Sequence, residues 1–222
     1  MKKIGNLNIV IVNDSGHING GATKTALYSA IGLAIKGYRV IYFCAVGPID
    51  QELRNHGVEV VCTEQREILK DPRRIRAAIQ GVWNSKSARA LDQLLKRLPV
   101  QDTIVHLHGW TKAISSSIMP VIRRRRVRTI ITLNDYFSSC PNGGFYNFQT
   151  QEACTLRPLS RSCLLTNCDS RKMSHKVWRF ARQIIQKKIG GIPGDIKEFI
   201  VVSDFCGKIL GPYLPDGAQV YL

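Results

Sequence analysis

The sequence predicts an α/β fold built on a doubly wound, parallel, Rossmann-like sheet. Three observations carry that prediction. Short runs rich in Val and Ile alternate with stretches of helical period along nearly the whole chain. The first unit, Leu7 to Gly37, reads LNIVIV, then NDSGHINGGATK, then TALYSAIGLAIKG, a strand, a glycine loop and a helix. Polar phrases collect just past the carboxyl ends of the apolar runs, where ligands gather on such sheets. With 222 residues and 44% hydrophobic residues, the chain is long enough for one α/β domain with its own core, and its composition argues against disorder.

The elements follow in order. Val40–Val46 reads as the second strand. Pro48 opens a helix ending near Gly57, and Val58–Cys62 is the third strand. Helical periodicity runs from Pro72 to Leu98, with a break expected at Gly81 and Asn84-Ser85. Thr103–Leu107 is the fourth strand and leads into His108-Gly109-Trp110. Thr111 is expected to cap the next helix, with Ile114, Ile118, Val121 and Ile122 inward and Pro120 kinking or shortening it. Thr129–Leu133 is the fifth strand and ends at Asn134-Asp135. An irregular segment rich in Cys, Ser, Asn and Pro fills 136–169. A helix from about Arg171 to Ile189 stops at Gly190-Gly191-Ile192-Pro193-Gly194. Phe199–Val202 is the sixth strand, Ser203-Asp204 caps a short helix reaching Pro212, and Gln219–Leu222 begins another strand. The sequence holds no internal repeat at a fixed period.

The glycines of the first loop let backbone approach a ligand closely, and the helix behind them offers free N–H groups and a positive dipole end to a phosphate. Two well-known loops do not fit. Gly16, Gly20 and Gly21 do not form G-x-G-x-x-G, and no acidic residue closes the second strand, YFCAVG. Gly16 to Gly21 has the glycine spacing of a P-loop, but Ala22 and Thr23 intervene before Lys24-Thr25. A P-loop-like ATPase, resting on Lys24, is the weakest alternative.

The Gly20-Gly21 pair is followed by Ala34-Ile35-Lys36-Gly37-Tyr38-Arg39-Val40. This opening resembles that of the GT-B glycosyltransferases, the two-domain nucleotide-sugar enzymes (group 1, family 4-like) that include many sugar transferases of bacterial envelope polysaccharides. Further phrases resemble the same family. Ile104-Val105-His106-Leu107-His108-Gly109 is similar to its fourth strand, and Thr132-Leu133-Asn134-Asp135-Tyr136-Phe137 to its T-x-H-D-x-[FW] phrase. Ser138-Ser139-Cys140-Pro141-Asn142-Gly143-Gly144 is similar to a C-P-x-G extension in a subset with a Cys-rich insertion, and Ile200-Val201-Val202-Ser203 to the strand before the domain linker.

The resemblance implies that residues 1–222 are the N-terminal, acceptor-side domain, with the Cys-rich insertion at about 136–169. It implies a donor-binding domain with an acidic E-x7-E motif that is absent from these residues and comes from a longer chain or a partner subunit, so that this chain alone transfers little or no sugar. The substrates implied are a nucleotide-sugar donor and a saccharide or lipid-linked acceptor of polysaccharide biosynthesis. Gly20 and Gly21 would approach the donor diphosphate. His108, Trp110 and Asp135 would line the acceptor side, with Asp135 orienting or deprotonating an acceptor hydroxyl and His108 as its catalytic companion. Asn134, carried with Trp110 as acceptor-binding, stands where the family has a histidine; it keeps hydrogen bonding but cannot carry a proton or a positive charge. His106 is placed on the opposite side of its strand from His108, and only His108 is carried forward. The rival within this reading is a non-catalytic subunit of a split transferase that anchors it to the membrane or binds its partner.

Seven cysteines remain to be placed. Cys44, Cys62 and Cys206 read as buried apolar fillers. Cys140, Cys154, Cys163 and Cys168 cluster in the irregular segment with 13, 8 and 4 residues between them. A structural zinc ion, disulfide pairing and free thiols all stand as readings, since no C-x2-C knuckle decides among them.

Charge points to an anionic partner: 32 Lys+Arg against 16 Asp+Glu give a net charge of +16. Arg123–Arg126 and Arg128 lie in a stretch from Thr103 to Asn134 without an acid, and Arg171–Lys188 carries seven cations with Val177, Trp178, Ala181, Ile184 and Ile185 on its expected apolar side. These segments are expected to pack by their apolar faces and offer their charges to an anionic membrane surface. No nucleic-acid motif is present, so no nucleic-acid partner is expected. No apolar run reaches the length of a membrane span, and Lys2-Lys3 with the short Ile9–Val12 run does not make a signal peptide. The expected location is the cytoplasm, peripheral at the inner face of the membrane.

Overall fold

The computed structural model describes residues 7–222; Lys2-Lys3 lie outside the described residues. One seven-stranded parallel sheet organises them, in the order β3-β2-β1-β4-β5-β8-β9. Its strands are β1 (Asn8–Ser15), β2 (Arg39–Val46), β3 (Glu59–Cys62), β4 (Thr103–Leu107), β5 (Arg128–Leu133), β8 (Glu198–Val201) and β9 (Gln219–Tyr221). The helices are α1 (Gly21–Ile35), α2 (Gln51–Asn55), α3 (Arg74–Val82), α4 (Ser85–Leu95), α5 (Met119–Arg125), α6 (Arg161–Leu165), α7 (Met173–Lys188) and α8 (Asp204–Leu210). The expected doubly wound parallel sheet is the observed one.

Alternation along β1 divides the core. Ile9 and Ile11 pack with Ala26, Leu27 and Ala30 of α1 and with Leu53 of α2. Val10 and Val12 face the other way, into a larger cluster with Leu91, Leu94 and Leu95 of α4, Val121 and Ile122 of α5 and Leu210 of α8. The chain builds outward from β1 in one direction through β2 and β3, then returns to build β4, β5, β8 and β9 in the other. Right-handed crossovers therefore put the two helix sets on opposite faces. The reversal lies between β1 and β4, the place at which ligands gather on such sheets.

Several local expectations are corrected. Thr111 caps nothing; a 3-10 turn at Ser116–Ile118, capped by Ser115, precedes α5. Pro120 falls in the first turn of α5, where its missing N–H leaves no bond unmade. Gly81 does not break its helix: it lets Trp178 pack on α3, since a Cβ there would meet the indole at 2.7 Å. The break comes at Asn84, whose side chain caps α4 by accepting from the Ser87 N–H. The segment 136–169 is only partly irregular. It contains a short hairpin, β6 (Tyr146–Asn147) with β7 (Glu152–Ala153), and α6, capped by Ser160.

The largest correction concerns α7. Its buried side chains are Lys176, Phe180, Arg182, Gln183 and Gln186, while Val177 and Ile184 are exposed. The expected apolar face is thus turned largely outward. The cause is the insertion. Its carbonyls lack sheet partners and need donors, and α7 supplies them: Gln186 to Phe137 O at 2.8 Å, Gln183 to Ser138 O at 3.2 Å and Arg179 to Asn142 O at 3.2 Å.

Candidate functional site

The strand ends at the β1/β4 reversal carry a cluster of polar residues. β1 runs three residues past its apolar stretch, through Asn13, Asp14 and Ser15, all buried. Asn13 reaches the Ser15 carbonyl at 2.9 Å and the Thr23 hydroxyl at 3.4 Å, tying β1 to the first turn of α1. The His108 N–H extends the β1–β4 pairing by donating to Val12 O at 2.9 Å, and Asn134 Nδ2 donates to His108 O at 3.2 Å. The ends of β1, β4 and β5 and the start of α1 are therefore linked by hydrogen bonds.

Asp14 shapes the second loop. Its carboxylate accepts from three successive backbone N–H groups, Lys112 at 2.9 Å and Ala113 and Ile114 at 2.8 Å each. Burial pushes its carboxyl above the usual carboxylate range, against the three donors that pull it down. Asp14 is a site residue that the sequence reading passed over, although its place at the end of the first strand marked it.

Asp135 is open to solvent at the end of β5. One of its oxygens accepts from the Phe137 N–H at 3.0 Å, fixing the turn. Surrounding protein pushes its carboxyl up and Asp14 adds to this, while the Phe137 donor, Arg182 and Lys112 pull it down. Arg182 reaches this group from α7. It donates to Thr111 O at 3.0 Å and lies against the Phe137 and Trp178 rings, 5.2 and 5.1 Å from their centroids. Burial brings it down to about 10, and Arg179 adds to this. The arrangement places an accessible carboxylate, a buried carboxylate and two cations around one loop cluster, suited to orienting a hydroxyl and taking its proton.

The other expected site residues fall differently. Gly20 and Gly21 open α1 with no side chain capping it, and a Cβ at either would meet nothing within 4 Å. That leaves the Gly20-Gly21 step with no other group packed over its Cβ positions. Gly16 serves packing instead: a Cβ there would strike Ile49 at 2.5 Å. The P-loop spacing therefore has no P-loop geometry behind it, and Lys24 lies over the Tyr28 ring, 5.6 Å from its centroid. Trp110 belongs to the core, with its indole N–H donated to Gln186 at 2.8 Å, so it does not line an acceptor surface. Asn134 is half-buried and spends its amide on backbone.

His108 is buried, and neither ring nitrogen has a hydrogen-bond partner. His106 lies beside it, ring centroids 4.1 Å apart, and bonds Thr132 through Nε2 at 2.7 Å. The expectation that the two histidines face opposite ways is overturned, because residues two apart on a strand share a face. Burial lowers His106 to about 4 and His108 well below its ordinary value, with His106 adding to the latter.

The four clustered cysteines do not gather around a metal position. Among the described residues, no group of three or more His, Cys, Asp or Glu side chains is arranged to hold a metal ion. Cys163 and Cys168 turn toward the Lys176 ammonium, a cation already occupying the place between them. Cys140 lies among the backbone N–H groups of its own loop. All seven cysteines are free thiols.

Four of the five arginines in the cluster carry ion pairs, two of them to one carboxylate. Arg123 pairs with Asp195, Arg124 and Arg125 with Asp92 at 2.9 Å each, and Arg128 with Glu198. The acids missing from the local sequence come from elements distant along the chain. Among the described residues, no helix is long and apolar enough to cross a membrane.

No protein-family model and no curated protein matches the chain. Solved structures do match. A glycosyltransferase from Rickettsia africae ESF-5 aligns over 97% of this chain and 42% of its own, with TM-score 0.52 and 16% identity. Phytolacca americana UGT2, solved with UDP-2fluoro-glucose and pterostilbene, aligns over 99% of this chain and 54% of its own, with TM-score 0.53 and 12% identity. LpCGTa, solved with UDP, aligns over 97% and 52%, with TM-score 0.51 and 14% identity. The shared property is fold: a parallel α/β sheet matching a GT-B glycosyltransferase domain. The chain spans about half the length of these structures.

Proposed function

We propose that this chain is the acceptor-side domain of a GT-B glycosyltransferase of the subset with a Cys-rich insertion, transferring sugar from a nucleotide-sugar donor to a saccharide or lipid-linked acceptor of a polysaccharide. The observation that carries this reading is Asp135, an exposed acid at the carboxyl end of β5, one strand away from the reversal of strand order. Asp135 orients and deprotonates the acceptor hydroxyl, with Lys112 and Arg182 offsetting charge around it. The open Gly20-Gly21 step faces the donor diphosphate, whose remaining contacts come from a second domain or subunit. His108 and Trp110 act as the buried frame beneath the loops rather than as substrate contacts.

The test is sugar transfer by the protein purified from its natural source, with radiolabelled nucleotide sugars and lipid and saccharide extracts of the same cells. Label entering an extract fraction and lost in Asp135→Asn supports the reading. No incorporation from any donor, or full incorporation by Asp135→Asn, sinks it.

Membrane contact is the second part of the proposal, and it moves to α3. Ile75 and Ile79, one turn apart, are 80% and 63% exposed, and Arg73, Arg74 and Arg76 surround them. An apolar ridge rimmed by arginines fits an anionic lipid surface at the cytoplasmic face.

A further inference from the structure

Lys176 has a side chain with an unusual set of neighbours. It is 1% exposed, and its ammonium touches no carboxylate. Its hydrogen-bond acceptors are two sulfurs, Cys168 Sγ at 3.0 Å and Cys163 Sγ at 3.5 Å. The nearest acid in sequence, Asp169, is taken by Arg179 at 3.1 Å and by the Arg171 N–H at 3.0 Å. A buried cation normally requires a charged or strongly polar partner. The fold has instead brought two thiols to one ammonium.

We infer that Cys163, Cys168 and Lys176 form a peroxide-reactive modification site, in which Cys168 is oxidised first and Cys163 resolves it as a disulfide. A cation beside a sulfur promotes attack by that sulfur, because the reacting species is negatively charged. Cys168 Sγ attacks one oxygen of hydrogen peroxide: an S–O bond forms, the O–O bond breaks, and the departing oxygen leaves as water with the thiol proton. The Cys163 thiol then attacks the sulfenic sulfur: an S–S bond forms, the S–O bond breaks, and a second water leaves with the Cys163 proton. Two thiols lose two electrons and one peroxide becomes two waters. The two sulfurs lie 3.5 and 3.0 Å from the same nitrogen, and an extended step at Thr166 joins α6 to Cys168. Closing the disulfide removes the thiols that Lys176 bonds, and Lys176 is on the helix whose Gln183 and Gln186 hold the loop after Asp135.

Cys206 provides an internal control. It is 4% exposed, as is Cys168, but its sulfur faces the Leu133 carbonyl rather than a cation. The experiment is a time course of hydrogen peroxide on the reduced protein, followed by alkylation of free thiols, tryptic digestion and mass measurement. The tryptic peptide Ser162–Arg171 contains both cysteines. It is expected to lose two hydrogens and resist alkylation at least about tenfold faster than Cys206 is modified. Lys176→Met should remove that advantage. Should Lys176→Met fail to fold, Cys163→Ser replaces it, with Cys168 captured as a sulfenic acid by dimedone. Equal rates at Cys168 and Cys206, a wild-type rate in folded Lys176→Met, no dimedone adduct in Cys163→Ser, or a Lys176–cysteine cross-link in place of the disulfide would each overturn the inference.

Discussion

Asn13 and Gly109 face each other so closely that a Cβ on Gly109 would fall 2.6 Å from Asn13 Oδ1. The contact joins the ends of β1 and β4 at the reversal of strand order. Only glycine permits it, because Asn13 is held by Ser15 and Thr23 and cannot swing away freely. Gly109→Ala is therefore expected to destabilise the domain by about 1–3 kcal/mol, the usual cost of forcing an extra group into packed structure. Urea unfolding checks this: a midpoint equal to wild type would mean the Asn13 side chain relaxes without cost.

Asp14 predicts a second effect. Three N–H groups lose their acceptor in Asp14→Ala, and those of Ala113 and Ile114 are left buried. Each unsatisfied donor costs about 1–3 kcal/mol, so the variant is expected to lose several kcal/mol or fail to fold. Asp14→Asn keeps one acceptor oxygen and should fall between the two. If alanine and asparagine variants unfold at the same denaturant concentration, the carboxylate does not hold the 112–114 turn.

The parallel sheet and its switch point were legible from Leu7–Gly37, Thr103–Leu107 and Thr129–Leu133, because buried parallel strands read as unbroken apolar runs. The polar face of α7 was not. Its period suggested Val177 and Ile184 inside, whereas donors were needed by carbonyls of Phe137, Ser138 and Asn142, which lie about forty residues earlier in the chain. The pairing of Arg124 and Arg125 with Asp92 was hidden for the same reason, since charge runs are read locally and their partners are set in space. Asp135 drew notice through the Thr132–Phe137 phrase, whereas Asp14, also at a strand end, stands in no such phrase. The burial of Trp110 depends on Gln186 and could not be read.

His106 gives a pH dependence with a defined sign. Its folded value of about 4 lies below the unfolded value of 6.5. The unfolded chain therefore binds a proton that the folded one refuses. Its contribution to stability is whole above pH 6.5 and is lost as pH falls through 4. Between pH 8 and pH 5 the loss is about 2 kcal/mol for this group. Asp14 and Asp135, raised above ordinary values, act oppositely at lower pH. Comparing urea midpoints of wild type and His106→Asn across that range isolates the histidine. Parallel curves would contradict the assignment.

Asp135 makes the corresponding kinetic prediction. As an accepting base it works when ionised, and its carboxyl is held above the ordinary range by surrounding protein and by Asp14. Transfer by the complete enzyme should rise with pH through a value higher than that of a free aspartate, then level off. Asp14→Asn, where it folds, removes one of the charges that raise Asp135 and should move the rise to lower pH. Asp135→Asn should lower turnover about 10²–10⁴-fold while keeping the fold, since an amide oxygen still accepts from the Phe137 N–H. An acid limb that does not move in Asp14→Asn would mean another group titrates.

The α3 ridge is tested with vesicles rather than turnover. Ile75 and Ile79 are exposed, so replacing both with serine removes apolar contact without opening a core cavity. Arg73 and Arg76 to glutamine removes attraction of about 1 kcal/mol per charge at an anionic surface. Both double variants should bind phosphatidylglycerol vesicles about tenfold or more weakly than wild type, and neither change should alter circular dichroism. Neutral phosphatidylcholine vesicles separate the two contributions. Residual binding to them should vanish in Ile75→Ser/Ile79→Ser and persist in the arginine variant. Wild-type binding that is equal for the two lipids would remove charge from the account. If neither double variant binds less, the membrane does not meet this chain at α3.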